Sequence, residues 1–290
     1  MPVAAFVPPE LRTGVFRGSW AVSRGLLTPD QLRGDQWRRL CRDVHVHRDV
    51  PVTHSLRACA IAGVALPGAV VSGPSAAVLW GVDLVTADDD VEVTLPPGTG
   101  QVRIGGVRAR RVALDPERVT RRRGVAVLTP EATAVALAAD LPTDEAVVAV
   151  DRLVGSGVTG LTSVRALAGR LAGPGSRRAQ RACDLADGLA GSPQETRLRL
   201  LIGRSGLPVP VAQYRVVDHG RFVARVDFGW PAQRVAVEYD GLWHAEPGQF
   251  VRDRQRLNRL TAAGWRVVFV TAADLRHPGP LLARIAAALS

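Results

Sequence analysis

The stretch RVDFGWPAQRVAVEYDG, residues 225–241, most constrains the fold, because apolar and polar residues alternate on either side of a turn. Alternation with a period of two is typical of β-strands, in which successive side chains point to opposite faces. On the second strand, Val235 and Val237 then face one way and Glu238 and Asp240 the other. Carboxylates held together repel, so this arrangement costs free energy unless a cation or a shared proton relieves it.

The acids of this stretch predict a metal site. If the two strands pair as a hairpin around GWPAQ, Asp227 of the first strand and Glu238 of the second converge on one ion. Mg²⁺ takes oxygen ligands, usually one or two carboxylates with water and substrate phosphates. We therefore expect Mg²⁺ (or Mn²⁺) held by Asp227, Glu238 and Asp240, where it would polarise a phosphoryl oxygen and activate a water. Alternatively, Asp240 orients a water instead of binding the ion. The alternative is that these acids form ion pairs with Arg225, Arg234 or other nearby arginines.

Two further residues are candidates for catalysis. Residues 192–195, SPQE, form a capping box with proline at the first helical position, so Glu195 has a structural explanation beside a catalytic one. His244 follows the acids in EYDGLWH. Histidine exchanges protons near neutral pH, which suits it to general acid or base catalysis.

The chain is strongly basic. Its net charge is +10, and all 37 basic residues are arginine. An excess of positive charge favours polyanionic partners, nucleic acid first. The arginines predicted to contact DNA phosphates form one run and one helical stripe with i, i+4, i+7 spacing: Arg121, Arg122, Arg123, Arg252, Arg256 and Arg259. A solvated face is the alternative for the run.

The first half of the chain contains shorter elements. Residues 23–41 predict two helical pieces separated by Gly34, with Thr28 as an N-cap before Pro29, and residues 42–50 predict a strand. Further strands are expected in DVEVTLP and in VRIGGVRARRV, the latter as a hairpin turning at Gly105 and Gly106. Residues 130–190 are rich in Ala and Leu and predict a helical connector.

Cysteine content and hydropathy bear on location. Cys41, Cys59 and Cys183 are too few and too widely spaced for a disulfide framework. No signal-peptide pattern opens the sequence, and the longest apolar run, residues 58–71, is 14 residues and too short to span a membrane. We expect a cytoplasmic protein without membrane contact.

From residue 192 onward the sequence resembles the very-short-patch-repair endonuclease-like family, a branch of the PD-(D/E)XK restriction-endonuclease superfamily. The segments that carry the resemblance are SPQETRLR, ARVDFGWP, VAVEYDGLWH, DRQRLNRL and GWRVVFVT. The resemblance implies a mixed sheet flanked by helices and metal-dependent cleavage of a DNA phosphodiester. The family's helix acid, its metal-binding strand acid, the acid of the next strand and the glycine-aromatic-histidine turn fall on Glu195, Asp227, Glu238, and Gly241, Trp243 and His244.

One position departs from the superfamily pattern. The lysine expected two residues past the second acid is Asp240 here, and the chain contains no lysine. Members of this branch often lack that lysine, so loss of activity does not follow. The attacking-water step is assigned to His244 or Asp240.

The front of the chain, about residues 15–130, is similar to the winged-helix region of AbiEi-type antitoxins in GLLTPDQLRG, WRRLCRDVHVHRD and SGPSAAVLWG. We therefore expect an α/β protein in three parts. Residues 1–130 would be a winged-helix-like α+β DNA-binding region, residues 131–190 a helical connector, and residues 191–290 a restriction-endonuclease-like domain.

Two functions are compatible with these patterns. The first is a metal-dependent endonuclease or nickase acting on double-stranded DNA, in repair or defence. The alternative is a non-cleaving, antitoxin-like transcriptional regulator with a degenerate nuclease fold. The sequence names neither a toxin partner nor an oligomeric state.

Overall fold

The computed structural model describes residues 7–240 and 249–290, the side chains of residues 249–251 and 253 excepted. These residues form helices and three β-sheets, which confirms the mixed α/β class. The α-helices are α1 Gly18–Ser23, α2 Pro29–Arg33, α3 His54–Ala60, α4 Gly73–Leu79, α5 Pro130–Asp140, α6 Thr143–Gly155, α7 Leu161–Gly169, α8 Ser176–Leu185, α9 Pro193–Arg204, α10 Gln249–Ala262, α11 Ala272–Arg276 and α12 Pro278–Leu289. No helix in the described ranges is both long and apolar enough to cross a membrane.

The strands follow the chain in three groups, one for each sheet. They are β1 Phe16–Arg17, β2 Trp37–Cys41, β3 Val44–His47, β4 Val70–Val71, β5 Val91–Leu95, β6 Val107–Arg111, β7 Val119–Arg122, β8 Val125–Leu128, β9 Val211–Asp218, β10 Arg221–Trp230, β11 Val235–Tyr239 and β12 Arg266–Val270. The sheets have the strand orders β1-β3-β2, β6-β5-β4-β8-β7 and β12-β11-β10-β9.

The N-terminal sheet corrects one helix prediction. Thr28 caps α2 in a reciprocal box with Gln31, as expected. Residues 37–41, predicted as helix, form strand β2 instead and pair antiparallel with β3. Gly34 ends α2, and Trp37 is buried with its ring edge-on to Phe16 at 5.1 Å between centroids. Burial of this tryptophan against a neighbouring strand overrides the local helical pattern.

The five-stranded sheet corrects the predicted hairpin. Gly105 and Gly106 do not join two strands, because β6 begins after them and pairs parallel with β5. Parallel neighbours need a longer connection than a tight turn provides. The two-residue turn of this sheet lies between β7 and β8, where Arg123 and Gly124 have φ values of 49° and 82°. Both residues are left-handed, as the favoured hairpin turn requires.

The region predicted as a connector is a packed helical layer. Helices α5 and α6 begin at Pro130 and Thr143, and with α7 and α8 they bury a core of their own. That core also contains Leu200 of α9 and Ala77 of α4. Helix α9 therefore belongs to this layer as well as to the C-terminal sheet.

The C-terminal sheet places the predicted acids. Strands β9, β10 and β11 are antiparallel, and β12 is parallel to β11. Val235 and Val237 of β11 pack in the core formed with α9 and α12, whereas Ala236 packs with Leu260 of α10. The predicted alternation on β11 is thus confirmed, and even-numbered residues of this strand face α10.

Candidate active site

Glu195 lies in the first turn of α9. Ser192 caps the helix by accepting a hydrogen bond from the Glu195 backbone N–H (3.3 Å). The Glu195 carboxylate reaches back past the cap, and its Oε2 accepts from the N–H of Gly191 (2.8 Å). The predicted capping box is therefore formed on one side only. The side chain is buried, with 9% of its surface exposed.

Gln213 of β9 links Glu195 to the sheet. Its Nε2 donates to Glu195 Oε2 at 2.8 Å, and the same side chain lies close enough to Asp227 to lower the pKa of that carboxyl. The backbone of Gln213 has a φ of 50°, which is uncommon for a residue other than glycine. The amide therefore connects a helix acid and a strand acid that are 32 positions apart in the sequence.

Asp227 lies on β10 at a point where the strand changes its packing. Val226 packs in the core with α10, and Phe228 packs in the core with α9 and α12. Residues two apart on a regular strand share a face, so the strand is irregular at Asp227. Its Oδ2 accepts the backbone N–H of Tyr239 on β11 at 2.8 Å.

Glu238 is held on the α10 side of the sheet. It is 5% exposed, and its two oxygens accept hydrogen bonds from Nη1 (2.7 Å) and Nη2 of Arg256. Arg256 Nη1 also donates to the carbonyl oxygen of Arg225. A two-pronged guanidinium–carboxylate pair is the strong form of such a contact. The structure thus brings Glu238 together with Arg256, and Asp227 together with Glu195.

The pKa values of Glu195 and Asp227 are both raised. Burial raises the pKa of Glu195, and the negative charge of Asp227 raises it further. The hydrogen bonds of Gly191 N–H and Ser192 and the charge of Arg225 lower this pKa by a smaller amount. Burial also raises the pKa of Asp227. The hydrogen bond from the Tyr239 N–H and the charges of Arg256 and Arg225 lower this pKa by a smaller amount. Within the described part of the chain, neither carboxylate has an arginine in salt-bridge contact. The pair is therefore a site of unbalanced negative charge.

The other predicted site residues are placed differently. Asp240 is exposed just after β11, and its backbone N–H donates to the carbonyl of Val270. His244, with Gly241 and Trp243, lies outside the described residues. Their expected roles stay predictions.

The arginine run of β7 and its turn makes contacts within the protein. Arg121 donates to the carbonyl of Gly124, and Arg123 donates to Ser55 Oγ (3.0 Å). Arg122 lies 4.7 Å from the Trp80 ring centre and donates to the carbonyl of Leu79. All three remain exposed, so contact with phosphates stays a prediction. On α10, Arg252 and Arg259 are exposed, and Arg256 is the residue bound to Glu238.

The donor set at Glu195 and Asp227 fits a divalent cation. Mg²⁺ is bound through one or two carboxylates together with water and substrate phosphates. A buried and a partly buried carboxylate, both with raised pKa values, supply that chemistry. Across the described ranges no group of three or more His, Cys, Asp or Glu is placed to hold a metal. For Glu238 to join as a third ligand, it would have to exchange Arg256 for the ion.

Sequence reasoning missed Gln213. A single amide within the apolar strand segment 211–218 was the available signal for Gln213. Nothing local showed that its backbone would be left-handed or that its amide would bind an acid of α9.

The fold and site define a mixed α/β protein with a carboxylate pair where helix α9 meets the sheet. No family model matches the chain. Two Mycobacterium tuberculosis proteins are 35% identical over 217 residues, 73% of this chain and 78% of theirs: uncharacterized protein MT2308 (strain CDC 1551 / Oshkosh) and uncharacterized protein Rv2248 (strain ATCC 25618 / H37Rv). The chain belongs to the family of these two proteins.

A more distant likeness is found among solved structures. The crystal structure of RV2827C protein from Mycobacterium tuberculosis is 18% identical, with a TM-score of 0.42, over 71% of this chain and 82% of that chain. None of the three names states an activity, so the functional argument depends on the site.

Proposed function

We propose that residues 191–290 form a metal-dependent DNA endonuclease or nickase. The observation that carries this proposal is the pair Glu195 and Asp227, joined by the Gln213 amide and bearing raised pKa values without a salt-bridge partner among the described arginines. Unbalanced acids of this kind are costly in a purely structural role and are typical of functional sites. A divalent cation would balance the charge of the two carboxylates and would attract the anionic phosphate of a phosphodiester.

Each residue of the site has a distinct task in this proposal. Glu195 and Asp227 hold the cation, and Gln213 fixes the spacing of the two carboxylates. Arg225, whose charge acts on both acids, attracts the phosphodiester. When bound, Mg²⁺ or Mn²⁺ would polarise a phosphoryl oxygen and activate a water. The proton of that water is assigned to His244 or Asp240.

The fold is compatible with the proposal. A mixed sheet covered by α9 and α12 on one face and by α10 on the other has the architecture that the resemblance to the very-short-patch-repair endonuclease-like family implies. Two short helices followed by a strand pair, α1 to β3, are compatible with a winged-helix-like front end. We assign that front end a role in binding double-stranded DNA.

A second candidate function is favoured by one contact. Both oxygens of Glu238 are bound by Arg256, so this acid is already neutralised without a metal. That use of the residue is expected in a non-cleaving, antitoxin-like regulator that retains the fold and has lost the chemistry.

Nicking of supercoiled plasmid by the purified full chain tests both candidates. We expect relaxed product with Mg²⁺ or Mn²⁺ and none with EDTA. Asp227→Asn should reduce the rate by about 100-fold, because it removes a charge that acts on the reacting centre. Asp218→Asn is the matched control, since Asp218 lies at the far end of strand β9, where its side chain is 3.7 Å from His219.

The outcomes separate the candidates. Wild-type protein that binds DNA and nicks it with neither metal would exclude the nuclease and support the regulator. Equal nicking by wild type and Asp227→Asn would show that the activity arises elsewhere.

A further inference from the structure

The hairpin of β9 and β10 carries a track of residues that leads to the carboxylate pair. Arg225 is the direct cross-strand partner of Arg215, and Phe222 is the partner of Val217. On β9, Arg215 and Val217 lie two positions apart and so share one face, and Gln213, whose backbone is left-handed, comes two positions before Arg215. The track begins with an apolar pair, continues with an arginine pair and ends at Gln213 and the acids.

The arginine pair is unfavourable in the isolated protein. Like charges directly opposite each other in an antiparallel pair destabilise a sheet. Arg215 and Arg225 are both exposed, and neither is in salt-bridge contact with a described carboxylate. Arg225 nevertheless lies close enough to Glu195 and Asp227 to lower the pKa of both. An anion between the two guanidinium groups would remove the repulsion.

An exposed aromatic ring lies beside the arginines. Phe222 exposes 56% of its surface, and the guanidinium of Arg215 lies 4.9 Å from its ring centre. Its partner Val217 is 54% exposed. An arginine and an aromatic ring side by side are suited to a nucleic acid, in which phosphates alternate with stackable bases.

We propose that Arg215 and Arg225 bind the phosphate that follows the one at the Glu195–Asp227 site, and that Phe222 contacts the next nucleotide. This assignment rests on the proposed function, because it extends the same site along the substrate. A step of two residues along an antiparallel strand covers about 6.8 Å, a spacing that brings consecutive phosphates of one strand to the acids and the arginine pair.

The test is DNA binding by the full chain in EDTA, where metal-dependent cleavage does not occur. A fluorescein-labelled duplex is titrated and its anisotropy followed from low to moderate salt. The variant is Arg215→Gln with Arg225→Gln. The control is Arg177→Gln with Arg178→Gln, which removes the same charge from exposed positions on α8.

We expect the hairpin variant to bind about tenfold more weakly and to lower the salt dependence by about one to two counterions. Its melting temperature should stay equal to that of wild type or rise, because the like-charge pair is gone. The control should bind within about twofold of wild type. A structural role for the arginines would instead lower the melting temperature.

Several results would contradict the assignment of Arg215 and Arg225 as a phosphate site. A hairpin variant that binds no more weakly than the control, or wild-type protein that binds no duplex, would overturn the assignment. Displacement of the duplex by poly-glutamate as effectively as by unlabelled DNA would show a general acidic-ligand site and would also overturn it. Wild-type protein that binds through these arginines and never cuts would leave the phosphate site standing and end the nuclease proposal.

Discussion

At the scale of single residues, Gln213 shows how the site is built. A left-handed backbone at a residue other than glycine costs on the order of 1–3 kcal/mol. Gln213 adopts it within β9, opposite the place where β10 changes faces between Val226 and Phe228. In return its amide contacts Glu195 and Asp227 together. Strain is therefore located where the geometry of the acids is set.

The raised pKa of Asp227 predicts how stability depends on pH. Because the folded protein holds this proton more tightly than the unfolded chain, the contribution of Asp227 is most favourable at low pH. It decreases as pH rises from the ordinary value of 3.8 through the raised pKa. Asp227→Asn should therefore melt higher than wild type at pH 7 without metal, and the difference should shrink toward pH 4.

Thermal melts in EDTA at several pH values measure this effect, with Asp218→Asn as the control. Added Mg²⁺ should raise the melting temperature of wild type and leave that of Asp227→Asn unchanged. A variant less stable than wild type at neutral pH would show that Asp227 has a structural role in place of a metal-binding one.

At the scale of elements, the local patterns predicted helices and strands well and their contacts less well. The alternation in residues 235–239 gave strand β11 and its buried valines, and Ser192 with Pro193 marked the start of α9. The pairing of Glu238 with Arg256 depends on how α10 packs across the sheet. No local sequence pattern predicts that packing. The hairpin expected at Gly105 and Gly106 was wrong because the sheet places β6 parallel to β5.

Helix α11 depends on one acid for its start. Thr271 and Asp274 form a reciprocal capping box, and Asp274 also accepts from Arg284 of α12 at 2.9 Å. The hydrogen bonds from Thr271 and Arg284 lower the pKa of Asp274 to about 2. The carboxylate therefore joins α11 to α12 at the end of the C-terminal sheet.

Asp274→Ala should destabilise the protein by about 1 kcal/mol at neutral pH, the usual cost of losing a cap. Because the pKa is lowered, this contribution is present above pH 3.8 and lost as pH falls toward about 2. Urea unfolding of wild type and variant from pH 7 to pH 2 measures the convergence. Asp30→Ala, which removes the exposed acid of the Asp30–Arg33 pair, is the control and should change stability by less than about 0.5 kcal/mol.

At the scale of the whole molecule, α9 joins the helical layer to the C-terminal sheet. Leu200 packs with α5 to α8, whereas Leu198 and Ile202 pack with β10 and β11. Asp151 of α6, which is 1% exposed, stabilises the contact between the helical layer and α9. Its carboxylate accepts from Thr196 Oγ1 (2.8 Å), from Nη2 of Arg199 (2.9 Å) and from two backbone N–H groups of the loop before α9.

Asp151→Ala should cost about 3–5 kcal/mol, because it leaves Arg199 and three other donors without their buried acceptor. The loss should appear in a single unfolding transition, since the two cores share a helix. Glu145→Ala is the matched control, because Glu145 joins the same two helices through the more exposed Arg197. It should cost less than about 1 kcal/mol. Two separate transitions in wild-type protein would contradict the shared-helix interpretation.

The shared helix has a consequence for inheritance and engineering. Residues 191–290, which bear the acids, cannot be moved to another protein as a self-contained domain. Without the preceding helices, Leu200 and Thr196 of α9 would be exposed. A recombination event or a cloning junction at residue 190 would carry Glu195 and Asp227 and leave behind the helical layer against which α9 packs. Transfer of any activity of this site therefore needs the chain from α5 onward.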